Sequence, residues 1–186
     1  MLIGKKVFLR ILEEEDLPRT QKWINDPEIS HRLGVLPTSL KQQKNWFTQI
    51  SQDNSRFIFA ICLNNEKKSQ IGNVSIGNID YIHRNGRFAI FIHGKEHRQQ
   101  GYGTEATILL LQFAFERLNL HRVYLKTSQD YTGAIAMYKK LGFVQDGLLR
   151  DHEYSHGQYH DKLVFSLLKP EYFGKKEQWL KTYLTA

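Results

Sequence analysis

The sequence contains a single cysteine and no long apolar run. Cys62 cannot form an internal disulfide bond, so a reducing, cytoplasmic location is expected. Because the thiol lies in the apolar stretch RFIFAICL, a buried structural role is expected for it rather than a nucleophilic one. No segment is long and apolar enough to cross a membrane, and MLIGKKVFLR at the start lacks the features of a secretory signal. These absences predict a protein without a membrane partner.

The chain also lacks a concentrated block of basic residues. Its 26 Lys and Arg residues against 19 Asp and Glu residues give a net charge of +7, which favours acidic partners such as phosphorylated cofactors. The basic residues are scattered in pairs such as Lys5–Lys6 and Lys139–Lys140, without interleaved aromatic residues, so nucleic-acid binding is not expected. A length of 186 residues is enough for one domain, 1–186, with a full core.

Hydrophobic periodicity predicts the order strand, two helices, three strands, helix, strand, helix, two strands, helix. Ser39 followed by Gln42 is typical of a capping box at a helix start, and Gly157 lies between two β-rich stretches that predict a long hairpin. A core over about 6–168 is followed by a predicted C-terminal helix at 170–184. The fold class is therefore mixed α/β (α+β), with a mainly antiparallel central sheet flanked by helices.

Two glycines open a predicted helix in the segment RQQGYG, which follows the strand RFAIFI. Glycine lets a ligand approach the backbone closely, and the first amides of a helix have no internal partners. With Arg98 three residues before Gly101, the segment predicts a phosphate site. A dinucleotide-binding fingerprint would tolerate Ala106, but it requires a parallel βαβ unit, and a Walker A loop is absent. Taken alone, the pattern fits an ordinary loop-to-helix junction equally well.

A second motif, GAIAMYKKLGF, follows about thirty residues later, and it predicts a short helix that Gly142 ends in a left-handed conformation. The succession R-x-x-G-x-G, a strand, and A-x-x-x-Y-x-x-x-G-F resembles the GNAT superfamily of N-acetyltransferases. The segments WINDPEI, LGFVQDGLLR and FSLL, with Gly157 and Asp161, are similar to the ribosomal-protein N-terminal alanine acetyltransferases and their spermidine-acetylating relatives. The resemblance covers roughly residues 6–168.

The resemblance implies an acetyl-CoA-dependent transfer to a primary amine by direct attack in a ternary complex, without an acyl-enzyme. The resemblance implies that Tyr138 protonates the departing thiolate. A main-chain N–H on the strand 87–92 is expected to stabilise the oxyanion. The cofactor-binding residues that it implies are Ile90, Phe91, Ile92, Arg98, Gln99, Gln100, Gly101, Tyr102, Gly103, Thr104 and Tyr131.

The sequence departs from the family pattern at two places. Tyr131 stands where the family usually has an asparagine that binds the cofactor, and Gly86–Arg87 stands where many relatives have Ala-Glu. No general base is therefore assigned, and Asp80, His93 and Glu153 are the candidates.

Three histidines, His152, His156 and His160, recur at every fourth residue. On a helix this spacing would align them for zinc, but a hairpin around Gly157 would not bring them together, so no metal site is predicted.

The sequence leaves several acetyl acceptors open. We expect the acceptor to bind between the first two helices and the last hairpin. A polyamine requires several carboxylates, whereas the stretch VSIGNID offers only Asp80. The resemblance favours a protein N-terminal amine as the acceptor. An amino sugar, a polyamine or an antibiotic stays open, as does a module that binds acetyl-CoA without turnover. The oligomeric state is also open, with a homodimer among the options.

Overall fold

The frame of the protein is a sheet with helices on both faces. The computed structural model describes residues 1–155 and 157–184. The strands are β1 (Leu2–Ile3), β2 (Val7–Ile11), β3 (Phe57–Leu63), β4 (Gln70–Asp80), β5 (Asn85–Ile92), β6 (Arg122–Ser128), β7 (Val144–Ser155) and β8 (Gln158–Leu168). The helices are α1 (Leu17–Ile24), α2 (Pro27–Leu33), α3 (Leu40–Ser51), α4 (Tyr102–Gln112), α5 (Thr132–Lys140) and α6 (Lys169–Trp179). None of these helices is both long enough and apolar enough to cross a membrane.

The described strands form one eight-stranded sheet in the order β1-β2-β3-β4-β5-β6-β8-β7. Neighbouring strands run antiparallel except β5 and β6, which run parallel. The predicted mainly antiparallel sheet is thus confirmed. The parallel pairing is short, because only Asn85–Arg87 of β5 pair with Arg122–Tyr124 of β6. Beyond these residues the two strands separate in the middle of the sheet.

Side chains alternate between the two faces of each strand, and each face packs on different helices. One face carries Phe88, Leu125 and Phe165, which share a core with buried residues of α4, α5 and α6. The opposite face carries Phe8, Ala60 and Cys62, which pack with Leu17 at the first position of α1 and with Trp46 and Phe47 of α3. The buried structural role expected of Cys62 is confirmed by its exposure of 1%.

Helix α2 is absent from the order that hydrophobic periodicity predicts. The segment NDPE follows α1 and begins a new helix, because proline is well suited to the first helical position. Asp26 caps this helix through a hydrogen bond that its side chain accepts from the Glu28 N–H, at 2.9 Å. The short edge strand β1 was also missed.

Several local expectations are confirmed. Ser39 and Gln42 form a reciprocal capping box at the start of α3, with hydrogen bonds of 3.2 and 2.8 Å. Gly142 takes a left-handed backbone with φ of +83° after α5. Strands β7 and β8 pair along their length as the long hairpin that Gly157 predicts.

Candidate active site

The separation of β5 from β6 opens a cleft of about 1150 Å³ at the centre of the molecule. On its other side β5 stays paired with β4 as far as Ile92. Alternate peptide groups of the segment 88–92 therefore face the cleft without a strand partner. Backbone groups in such a position require hydrogen bonds from another source, which a bound ligand can supply. The volume slightly exceeds the range of ordinary small-molecule pockets, which leaves room for two substrates.

The start of α4 lies at this cleft. The loop before it uses left-handed conformations at Gln99 (φ +59°) and Gly101 (φ +82°), and the conformation at Gly101 favours glycine. The first intrahelical bond is donated by the Glu105 N–H to the Gly101 carbonyl, at 3.1 Å. The amides of Tyr102, Gly103 and Thr104 precede it, so they have no intrahelical partner and carry the positive end of the helix dipole.

Two contacts with the start of β2 hold this loop in place. The Glu105 carboxylate, which is 2% exposed, accepts hydrogen bonds from the Lys6 and Val7 amides at 2.7 and 3.0 Å. The Lys6 ammonium donates to the Gln100 carbonyl at 2.8 Å. These partners are almost a hundred residues apart in the sequence, which is why no local pattern indicated them.

Arg98 lies on the cleft and connects the loop to α2. Its guanidinium donates to the Glu28 carboxylate, in an ion pair that the sequence did not indicate. Its Nε atom is buried and has no hydrogen-bond partner among the described residues. An unpaired buried donor costs about 1–3 kcal/mol, so an anion bound at this point would be stabilised.

These features fit the diphosphate and the pantetheine arm of a coenzyme A thioester. Free amides and the unpaired Arg98 Nε offer donors to phosphate oxygens, and the separated edge of β5 offers peptide groups to amides. At Gly103 a Cβ atom would lie 3.6 Å from the Ile92 Cδ1 atom and 3.7 Å from the Met137 Sδ atom. A larger side chain there would fill the space between the helix and the cleft walls.

Tyr138 reaches the same cleft from α5. Its ring is 7% exposed and contacts Phe88, Phe143 and Phe165. Burial raises the pKa of the Tyr138 hydroxyl above its ordinary value, so the group stays protonated at neutral pH. No described residue forms a hydrogen bond with this hydroxyl. It is therefore a neutral donor without a competing protein partner.

Most of the predicted cofactor residues meet at the cleft. Its lining includes Ile90, Phe91, Ile92, Arg98, Gln99, Gly101, Tyr102, Gly103, Thr104, Tyr131 and Tyr138. Gln100 is the exception, since it lies outside the lining and offers its carbonyl to Lys6. Tyr131 lies directly before α5, at the position where the family pattern has asparagine.

The three candidate bases occupy different places. Asp80 Oδ1 accepts hydrogen bonds from the Ile82 and His83 amides in the turn after β4, outside the cleft lining. His93 is also outside the lining; its ring stacks on Trp23 with centroids 5.3 Å apart. Glu153 alone of the three lines the cleft.

The far part of the cleft is lined by α2, by residues 34–36 and by the β7–β8 hairpin. The last hairpin lines the cleft as expected. Helix α2 lines it in place of the two helices that the sequence predicts after the first strand. Among the described residues, the lining of the whole cleft holds four Lys or Arg side chains, against the carboxylates of Asp130 and Glu153. The cationic residues are Arg87, Arg98, Lys126 and Lys162.

The histidines of the hairpin make separate contacts. His152 Nε2 lies 3.3 Å from the Lys126 ammonium, and His160 Nε2 lies 3.3 Å from the Ser155 carbonyl. His156 lies outside the described residues. Within the described part of the chain, no three His, Cys, Asp or Glu side chains are grouped to hold a metal ion.

Comparison with known proteins agrees with this geometry. The model of the acetyltransferase (GNAT) domain family matches residues 6–144. The chain belongs to this family. The expected N-acetyltransferase activity with acetyl-CoA, and the expected fold class, are thereby confirmed.

Three relatives illustrate the range of the family around this chain. An uncharacterized N-acetyltransferase of Bacillus licheniformis, p20, is 32% identical over 178 residues, covering 93% of this chain and 98% of that one. A crystal structure of spermidine N-acetyltransferase from Vibrio cholerae in complex with CoA and spermine matches with a TM-score of 0.85 and 28% identity, covering 90% of this chain and 98% of that one. YdaF of Bacillus subtilis, provisionally named a ribosomal N-acetyltransferase, is 34% identical over 108 residues, covering 58% of each chain.

Proposed function

We propose that this GNAT acetyltransferase transfers the acetyl group of acetyl-CoA to the primary amine of a small molecule. The observation that carries the proposal is the meeting of three parts in one cleft: the separated edge of β5, the free amides that open α4, and the protonated hydroxyl of Tyr138. Support for a small-molecule acceptor comes from the Vibrio cholerae relative, whose structure contains CoA and spermine. The initial preference for a protein N-terminus is not confirmed.

Each part of the cleft has a distinct role in this proposal. Acetyl-CoA supplies the activated acetyl group. The amides of Tyr102, Gly103 and Thr104, with Arg98, hold its diphosphate, while the peptide groups of 88–92 hold the pantetheine arm and place one N–H beside the reacting carbonyl. Because these donors are fixed by helix and strand, they need no reorganisation during the reaction.

The reaction requires two proton transfers, one to the leaving sulfur and one from the attacking amine. The amine nitrogen bonds to the acetyl carbon, and Tyr138 donates its proton to the sulfur as the carbon–sulfur bond breaks, since burial keeps its hydroxyl protonated. Tyr138 then regains a proton from water before the next turnover. The attacking amine must be neutral. Glu153 is the candidate base inside the cleft lining, and its Oε2 atom already contacts the Lys162 ammonium at 2.7 Å. Because this carboxylate is already paired with Lys162, water is the alternative proton acceptor.

The proposal is tested with the full chain, acetyl-CoA and a panel of primary amines. The panel contains spermidine, an amino sugar, small amino acids, amino phosphates and a short peptide with a free N-terminus. Thiol release measures turnover, and mass spectrometry identifies the acetylated product. We expect acetylation of at least one small amine with a higher kcat/KM than that of the peptide. Acetylation of the peptide alone would contradict the proposal, and binding of acetyl-CoA without turnover on any amine would point to a binding module.

A protein N-terminal α-amine is the second candidate acceptor, favoured by the similarity to YdaF. Its pKa of about 7.7–8.0 is lower than the value of about 10.4 for a lysine-like amine, so more of it is neutral at pH 7. The peptide in the panel decides between the two acceptor classes.

A further inference from the structure

Three cationic side chains share one face of the sheet where β5 and β6 separate. Arg87 is the last residue of β5 that pairs with β6, opposite Tyr124. Lys126 lies two residues further along β6, and Lys162 of β8 pairs with Ser128, two residues beyond Lys126. Since diagonal neighbours on a sheet are about 7–8 Å apart, Lys126 and Lys162 lie close enough to repel each other.

Alternation of side chains assigns these cations to one side of the cleft. Phe88, Leu125 and Phe165 belong to the core beneath α4 and α5. Arg87, Lys126 and Lys162 are an odd number of positions away from these residues on the same strands, so they face the opposite side of the sheet. That other face is the one on which Trp23 of α1 contacts Phe91. Tyr138 and the start of α4 lie on the core side. The three cations are therefore placed opposite the helix that offers its free amides to a diphosphate.

Only one of the three cations has a carboxylate partner among the described residues. Lys162 pairs with Glu153, and their side chains are 11% and 12% exposed. Lys126 contacts the ring of His152, and Arg87 forms no ion pair in the described part of the chain. Arg87 and Lys126 thus face the cleft without an ion-pair partner among the described residues. A polycation entering there would be repelled, and an anion would be stabilised.

We infer that the acetyl acceptor carries a carboxylate or phosphate group in addition to its primary amine, and that Arg87 and Lys126 bind this anionic group. The inference rests on the proposed function and names its acceptor class. Arginine binds either anion through two parallel hydrogen bonds, and lysine adds a point charge. The Glu153 carboxylate, neutralised by Lys162, adds no net negative charge that would attract a second ammonium group.

Matched pairs of acceptors test the inference with the full chain. The neutral members are ethanolamine and propylamine, the anionic members are O-phosphoethanolamine and β-alanine, and spermidine represents a polycation. We expect kcat/KM to be at least about tenfold higher for an anionic member than for its neutral partner, since hydrogen bonds between charged groups are strong. A larger kcat/KM ratio for O-phosphoethanolamine over ethanolamine indicates phosphate recognition, and a larger ratio for β-alanine over propylamine indicates carboxylate recognition.

Variants show whether the named residues carry the preference. Arg87→Gln and Lys126→Met should each reduce the ratio at least about fivefold without changing the KM of acetyl-CoA by more than about twofold. Arg150→Gln is the matched control, because Arg150 is exposed on β7 and lies outside the cleft lining. It should keep the full ratio.

The outcomes separate this inference from the proposed function. A preference for spermidine or for the neutral amines overturns the inference and leaves small-molecule acetylation intact. A preference for anionic amines that persists in both variants overturns the assignment of Arg87 and Lys126. Turnover of none of these amines, with turnover of a peptide, overturns both.

Discussion

Replacing Tyr138 by phenylalanine removes one hydroxyl from the centre of the cleft and leaves the ring in place. The ring centroids of Phe88, Phe143 and Phe165 lie 6.1, 5.7 and 6.4 Å from that of Tyr138, and phenylalanine retains these contacts. Because no described residue is hydrogen-bonded to the hydroxyl, its loss leaves no unpaired partner. We expect the free energy of unfolding to change by less than about 1 kcal/mol.

The effect on catalysis should be much larger than the effect on stability. A hydrogen bond to a charged sulfur is worth about 1.5–3 kcal/mol, which corresponds to a loss of about 10–150-fold in kcat. The KM of acetyl-CoA should stay within about threefold of its original value, because the hydroxyl acts on a charge that develops only during the reaction. The assay is thiol release at saturating acceptor, with thermal unfolding measured on the same samples.

The pH of this assay matters because of the Tyr138 pKa. Burial raises that pKa, so the hydroxyl remains protonated well above pH 7 and its ionisation should produce no loss of kcat between pH 7 and 9. Tyr159→Phe is the matched control, because Tyr159 is 64% exposed on β8 and outside the cleft lining. Full kcat in Tyr138→Phe would refute the acid role, and equal losses in both variants would show that the effect is not specific to the cleft.

The remaining predictions concern stability and the thiol. Asp16→Asn should lower the free energy of unfolding by about 3 kcal/mol in chemical denaturation, because it breaks the buried bidentate pair with Arg10 (2.6 and 2.7 Å), whereas the exposed Glu14→Gln should cost at most about 0.5 kcal/mol. Burial alone would raise the Asp16 pKa, but hydrogen bonds from Arg10 and the Glu13 amide lower it overall. This contribution is therefore complete above the unfolded pKa and disappears as the pH falls through the folded pKa; equal unfolding free energies of Asp16→Asn and the original protein at pH 6 would contradict this. Burial raises the pKa of the Cys62 thiol, so it should resist a disulfide reagent until the protein unfolds, and Cys62→Ala should keep full kcat; rapid labelling of the folded protein would contradict this.

Local patterns in the sequence predicted the parts of the site that depend on local backbone. The segment RQQGYG predicted a helix start with free amides, and the structure has Gly101 in a left-handed conformation directly before α4. The spacing around Tyr138 and Gly142 predicted a short helix with a left-handed end, which α5 is. In each case the glycine or the helical period acts within a few residues, so the sequence alone is informative.

The parts that the sequence did not predict depend on contacts between distant segments. Asp26 caps Pro27 at the start of α2, a helix that is absent from the order predicted by hydrophobic periodicity. The separation of β5 from β6, and the buried Glu105 that holds the start of β2, arise only when the sheet is assembled. The same is true of the positive face of the cleft, whose residues come from three strands.

The most direct test of the account measures acetyl-CoA binding by calorimetry in Gly103→Val. The added side chain would fill the space near Ile92 and Met137, where a single Cβ already makes contact at 3.6 and 3.7 Å. Gly174→Val is the matched control, since a Cβ at Gly174 in α6 meets nothing within 4 Å. The account predicts that affinity falls at least about 100-fold in Gly103→Val, the equivalent of two lost hydrogen bonds to charged groups, and is unchanged in Gly174→Val, with both variants folded. Undiminished affinity in Gly103→Val would contradict the claim that the start of α4 holds the diphosphate.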